Sequence, residues 1–210
     1  MTLALALALA YLAGSIPTSF LVGRAWGVDP GEKGSGNYGA TNVFRTLGVV
    51  PALLVIVVDI GKGAAPVLLL PGWLPTDAVS PTAYGVLLAV AAVLGHVYSL
   101  FLGFRGGKGI GTAAGAYAVL APWALLVAAI VWVGLVAWRR IVSLASLGGT
   151  VALLAAVVAL RGDEWPESWP LIAVTAALAA FVAWTHRENI ERLRSGAEKP
   201  IAPGSAGERG

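Results

Sequence analysis

The chain has 210 residues, of which 58% are hydrophobic and only 12% charged, with a formal net charge of +3. That composition is too apolar for a water-soluble domain of this length, and its basic residues sit between apolar segments, which speaks for membrane topology and against nucleic-acid binding. The sequence has no cysteine, which excludes disulfides, thiolate nucleophiles and Cys-ligated metals.

A bilayer core about 30 Å thick takes roughly 20 apolar residues per helix. Apolar runs of that order lie at about 3–23, 49–70, 82–104, 112–138, 142–160 and 169–185. The first has the Leu-Ala character of a secretory signal, but such signals open on a cation, and the first cation here is Arg24, beyond the run. An uncleaved helix with its N-terminus outside is expected. The connection 71–81 has no Lys or Arg, and 161–168 is mostly acidic and carries tryptophan, so both are expected outside. The other connections hold Arg24, Lys33 and Arg45; Arg105 and Lys108; Arg139 and Arg140; and Arg187, Arg192, Arg194 and Lys199, which assigns them to the cytosol.

Six crossings conflict with that assignment, because the run 112–138 would put two basic connections on opposite sides. The run is longer than one span needs and contains Pro122, where a helix ends or kinks. Two short or tilted segments at about 109–120 and 122–138 restore the parity. The expected fold is an all-α polytopic transmembrane bundle of about seven segments, N-terminus outside and C-terminus cytosolic. Residues 1–210 form a single integral membrane domain in this reading, with 201–210 as a flexible cytosolic tail.

The cytosolic connections are unusual for loops. The first contains Ser35, Gly36, Asn37, Gly39, Thr41 and Asn42, followed at once by a helix bearing Arg45. Glycines let successive N–H groups turn inward around an anion, and a helix N-terminus adds partial positive charge. Arg45, three residues after Asn42, shares its helical face and suits bidentate contact with phosphate. The second connection follows His96 and Ser99, which share a helical face, and contains Gly106, Gly107, Lys108, Gly109 and Thr112. It is not a nucleotide-binding P-loop: Leu102 and Gly109 stand where that pattern needs a glycine and a Ser or Thr. What remains is close backbone approach to an anion with one cation above it.

Asp59 and Lys62 form an i,i+3 pair inside an apolar run, where ionisable groups are costly; a structural pair placing Lys62 beside the site is expected. Arg140 and Ser143 add a cation and a hydroxyl at a helix start, and His186 and Asn189 share a helical face suited to proton handling or phosphate contact. A carrier for phosphorylated small molecules would need charges along a pore and an internal repeat. Only Asp59 and Lys62 lie deep in an apolar run, and no repeat is present.

Three stretches together, Ser35 to Asn42, Gly95-His96 through Gly109, and His186 through Asn189-Ile190 to Glu198, resemble the bacterial membrane glycerol-3-phosphate acyltransferases that use acyl phosphate as donor. The resemblance spans roughly residues 10 to 200 and includes Asp59/Lys62 and the Val142–Ser146 segment. Ile110-Gly111-Thr112 departs from the Val-Ala-Thr of many members, a difference of packing. The resemblance implies transfer of a fatty acyl group to the 1-hydroxyl of glycerol 3-phosphate, giving lysophosphatidic acid and phosphate, at the cytosolic face of the cell (inner) membrane. With the residue readings above it points to His186, Lys108, Arg45 and Asn189 as catalytic groups, to Ser35, Gly36, Asn37, Gly39, Thr41, Asn42, Lys62, His96, Ser99, Gly106, Gly107, Gly109, Thr112, Arg140 and Ser143 as substrate contacts, and to membrane lipids as surroundings. No metal or other cofactor is expected.

Overall fold

A computed structural model describes residues 1–202, so most of the expected tail, 203–210, lies outside the described residues. Its helices are α1 (Thr2–Ser15), α2 (Thr18–Ala25), α3 (Ala40–Leu47), α4 (Val49–Trp73), α5 (Pro81–Val97), α6 (Ile110–Leu120), α7 (Pro122–Arg139), α8 (Val142–Arg161), α9 (Trp169–Thr185) and α10 (Arg187–Arg194). Two short 3-10 helices, Leu100–Leu102 and Gly162–Glu164, lie between them, and among the described residues everything else is turn or loop.

Breaks fall where the sequence removes a donor or supplies a polar turn. Pro17 ends α1 by forcing Ile16 out of the helical region, and α2 resumes in nearly the same run, so Thr2–Ala25 is one apolar stretch. Five such stretches are long and apolar enough to cross a bilayer, and the apolar α9 is a sixth if its continuation into α10, bent by 64° at His186, is counted with it. The seventh apolar segment is α6, whose 11 residues reach only about 16 Å at the ordinary helical rise. Pro122 divides α6 from α7 as expected, with Ala121 extended between them. The start of α6 and the end of α7 both attach to the segment 189–201, through Lys108 and Arg140 respectively. The two helices therefore run in opposite directions, and the run 112–138 is two segments rather than one kinked helix.

Glycines set how closely the helices approach. A Cβ on Gly63 would stand 1.9 Å from the Thr112 carbonyl oxygen, and one on Gly115 would stand 1.9 Å from that of Ile60, so α4 and α6 touch backbone to backbone. Gly14 and Gly95 do the same for α1 and α5. Association in lipid relies on this close packing, because tails offer no hydrophobic contrast. The exposed large side chains are apolar along the helix flanks, and Trp73, Trp123, Trp138, Trp169 and Trp184 are exposed at helix ends, where indole rings favour the membrane boundary. The short α6 is instead wrapped by protein, with Thr112, Ala113, Gly115, Ala116 and Tyr117 buried.

Candidate active site

The loop end of the bundle gathers most of the chemistry-bearing residues. Asn42, 2% exposed, fastens the first glycine loop: its Oδ1 accepts from the Ser35 N–H at 2.8 Å, and its Nδ2 donates to the Pro30 and Lys33 carbonyls at 2.7 and 3.0 Å. The Gly36 N–H donates to Lys33 O. Two amides of that loop are thus spent within it, and Asn42 shapes the loop from below. Gly39 is the N-cap of α3 and Thr41 lies in its first turn, while Gly36, Asn37 and Tyr38 face outward into a cavity of about 340 Å³.

The opposite wall of that cavity is the second glycine loop, Gly106, Gly107 and Lys108, with Tyr98, Phe104, Arg105, Trp184 and Arg187 completing it. Gly109 takes φ 83°, a left-handed conformation that opens α6. Beneath the loop, His96 (α5) lies with Asp59 and Lys62 (α4), all buried. Ser99 gives its hydroxyl to Ser15 O at 2.5 Å, and the buried Thr112 hydroxyl has no partner among the described residues. Lys62 sits under the loop rather than among the cations above it.

A third element closes the site. Beyond α10 the chain turns back through Gly196, at φ 72°, and Glu198 becomes the centre of a clasp. Its Oε1 accepts from Ser143 Oγ at 2.7 Å and from Asn189 Nδ2 at 2.6 Å, and its Oε2 accepts from Arg192 Nε at 2.6 Å. Asn189 Oδ1 in turn accepts from Lys108 Nζ. Burial pushes the Glu198 carboxyl up, but the hydrogen bonds from Ser143, Arg192 and Asn189 outweigh it and hold the group below the ordinary value. Two further links complete the closure: the Arg45 side chain donates from Nη2 to Lys199 O at 3.3 Å, and the Ile201 N–H donates to Arg140 O at 2.6 Å. Arg140 itself adopts φ 57°, an uncommon left-handed conformation for a non-glycine residue, which turns α7 into α8 within two residues.

Burial, with the Arg192 charge added, lowers Lys108 to a pKa of about 8, Glu198 pulling the other way. His186, 3% exposed, caps α9 and starts α10. Its Nδ1 lies 2.8 Å from Val182 O, and since a carbonyl can only accept, Nδ1 carries the proton and Nε2 the lone pair. Burial, helped by the Lys108 charge, brings its pKa down to about 4, so the ring is neutral at pH 7. Glu198 and Arg192, which sequence reasoning did not count among the site residues, form the middle of the clasp. Arg192 stands i,i+3 to Asn189 on α10, a pairing that helical spacing does offer, whereas Glu198 reaches both only through the chain reversal after α10.

The fold defines a polytopic helical membrane protein with a cavity between two glycine loops at one end of its bundle. A family model described as "Glycerol-3-phosphate acyltransferase" matches residues 4–196, and the chain belongs to that family. It is 47% identical over 194 residues to the glycerol-3-phosphate acyltransferase of Geobacter metallireducens, covering 92% of this chain and 95% of the relative. It is 41% identical over 198 residues to glycerol-3-phosphate acyltransferase 2 of Moorella thermoacetica, covering 94% and 96%. Crystal structures of PlsY (YgiH), an integral membrane glycerol 3-phosphate acyltransferase, share the fold at 35% identity and 96% coverage of both chains. Their TM-scores are 0.83 for the glycerol 3-phosphate form and 0.82 for the lysophosphatidic acid form.

Proposed function

We propose that this protein transfers a fatty acyl group from acyl phosphate to the 1-hydroxyl of glycerol 3-phosphate, giving lysophosphatidic acid and phosphate, at the cytosolic face of the cell membrane. The observation that carries the reading is the lining of the 340 Å³ cavity, which joins two glycine loops and Lys108 with Tyr98, Phe104 and Trp184. The loops and cation suit phosphate oxygens, and the aromatic residues suit the start of a fatty chain. A donor that already carries a phosphate leaving group fits a site built from cations and backbone amides, since it needs little activation of the nucleophile.

In the reaction the hydroxyl oxygen attacks the acyl carbonyl carbon, the bond from that carbon to the bridging oxygen breaks, and phosphate departs with the electron pair. Two phosphate-bearing substrates repel each other, so the site must supply positive charge. In this reading Lys108, on the cavity wall, supplies it, with Arg45, Arg140 and Arg192 as further cations at the same end of the bundle. Catalysis then rests on positioning and electrostatics more than on activation of a nucleophile. The hydroxyl proton needs an acceptor, and two groups meet the requirement: neutral His186 at Nε2, and the phosphate of the acceptor itself.

Purified protein given glycerol 3-phosphate with palmitoyl phosphate or with palmitoyl-CoA separates the donors. Lysophosphatidic acid from the first alone is the expected result, and product from the CoA ester would refute the donor assignment. The orientation is read from single cysteines, since the chain has none of its own. A cysteine at position 139 should react only after the membrane is permeabilised; labelling from outside intact cells would reverse the topology.

A further inference from the structure

Below the second glycine loop lies a polar cluster to which the acyl-transfer chemistry assigns no step. Asp59, Lys62 and His96 are 4%, 7% and 6% exposed, and ionisable groups so deep in an apolar bundle are costly unless they satisfy one another. Lys62 Nζ stands 2.9 Å from Asp59 Oδ1, donates to Ile16 O at 2.9 Å and reaches Thr18 Oγ1 at 3.5 Å. The last two atoms belong to the break between α1 and α2. On the other side His96 Nδ1 lies 3.6 Å from Asp59 Oδ1. That is too long for a hydrogen bond, but within range for the carboxylate's field to orient the ring.

The far edge of the imidazole is where the glycine loop rests. The Gly107 N–H donates to His96 O at 3.3 Å, and a Cβ on Gly107 would stand 2.2 Å from His96 Nε2. A Cβ on Gly106 would stand 2.0 Å from His96 O, and one on Gly111 3.1 Å from the Asp59 Cβ. The first glycine loop arrives at the same point. Ser19, in α2, donates to Tyr38 O at 2.9 Å, and that carbonyl is 3.1 Å from the Gly107 Cβ position. The gap between these groups is about 10 Å³, too small for any substrate. It is a junction, not a binding site.

We propose that Asp59, Lys62 and His96 are positioning residues that hold the two glycine loops in register, so that Lys108 and the outward amides meet phosphate together. Lys62 ties Asp59 to the start of the first loop's support, and Asp59 orients the ring on which the second loop sits. Glycine at 106 and 107 is then required by contact with His96 as much as by approach to an anion.

The inference rests on the phosphate-binding reading of the loops, and the test keeps the two apart. The full chain in lipid nanodiscs is assayed for lysophosphatidic acid formation, with thermal unfolding followed in parallel. Failure of the wild-type protein to turn over with either donor would refute the reaction, whatever the variants do. With an active wild type, Gly107→Ala should raise KM for glycerol 3-phosphate about tenfold or more, with a smaller change in kcat, as its Cβ drives the loop off the ring. His96→Ala should raise KM several-fold. In the double variant the clash with the imidazole is gone and only the 3.1 Å approach to Tyr38 O remains, so KM should fall well below the product of the two effects, towards that of His96→Ala. Multiplying effects, or single variants with unchanged KM, would overturn the proposal. Asp59→Asn adds a second cycle with His96→Ala, again expected to be less than multiplicative; multiplying effects there count against it equally. Should Asp59→Asn not fold, the His96–Gly107 cycle decides alone.

Discussion

The two glycine loops look alike in composition and are held by opposite means. In the first, Gly34 and Gly36 take φ 63° and 69°, and one buried side chain, Asn42, ties the loop with three hydrogen bonds. In the second, Gly106 and Gly107 press on His96, where a side chain has no room. A loop tied by one amide depends on that amide, whereas a loop seated on a packed floor depends on the shape of each residue touching it. Glycine richness alone therefore does not say what an individual glycine does.

The largest effect should come from the residue the second loop presents to the clasp. Lys108→Ala removes a cation from the site and the partner of Asn189. With charge-assisted hydrogen bonds at about 1.5–3 kcal/mol each, two lost contacts lower kcat/KM by about a thousandfold. A fall of less than tenfold would mean that the second loop binds phosphate without its lysine. His186→Asn comes next, with kcat down by about 10²-fold, at the lower end for a proton-transfer group, and a smaller change in the acyl-phosphate KM. Near-normal kcat with a raised KM for glycerol 3-phosphate would make the histidine a phosphate contact and leave the proton to the substrate. Asn42→Ala should act on stability instead, lowering unfolding free energy by about 2–3 kcal/mol at roughly 1 kcal/mol per hydrogen bond. Lost activity with unchanged unfolding would erase the contrast between the loops.

Much of the architecture was legible because the bilayer imposes a simple grammar. The apolar runs match the long helices to within a few residues, and the break expected at Pro122 separates α6 from α7. What could not be read is contact across chain distance. Ser143 and Glu198 are 55 residues apart and meet only because α8 starts where the chain reverses after α10. Helical spacing paired Asn189 with His186, whereas its side chain binds Lys108 and Glu198. The loop glycines were read as anion approach from composition, and the backbone contacts that also require Gly106 and Gly107 have no sequence signal. Ile201, placed in the expected flexible tail, donates to Arg140 O.

The smallest expected effect is one of pH, and it reports whether the cation of the second loop works as a charge. Lys108 carries a pKa of about 8 because burial and the Arg192 guanidinium disfavour its charged form. Below that value the ammonium is present and attracts phosphate; as pH rises through about 8 it is lost, so KM for glycerol 3-phosphate should climb. The slope approaches tenfold per pH unit if only the charged form binds. Bound phosphate favours the charged lysine, so in the complex the limb moves upward and kcat should hold to higher pH than kcat/KM. His186 cannot produce this limb, since its pKa of about 4 leaves it neutral on both sides of the transition. Lys108→Arg separates charge from identity. Arginine stays protonated throughout, so its kcat/KM should be lower at pH 7 yet flat through pH 9, and a limb near 8 surviving in that variant would assign the titration to another group.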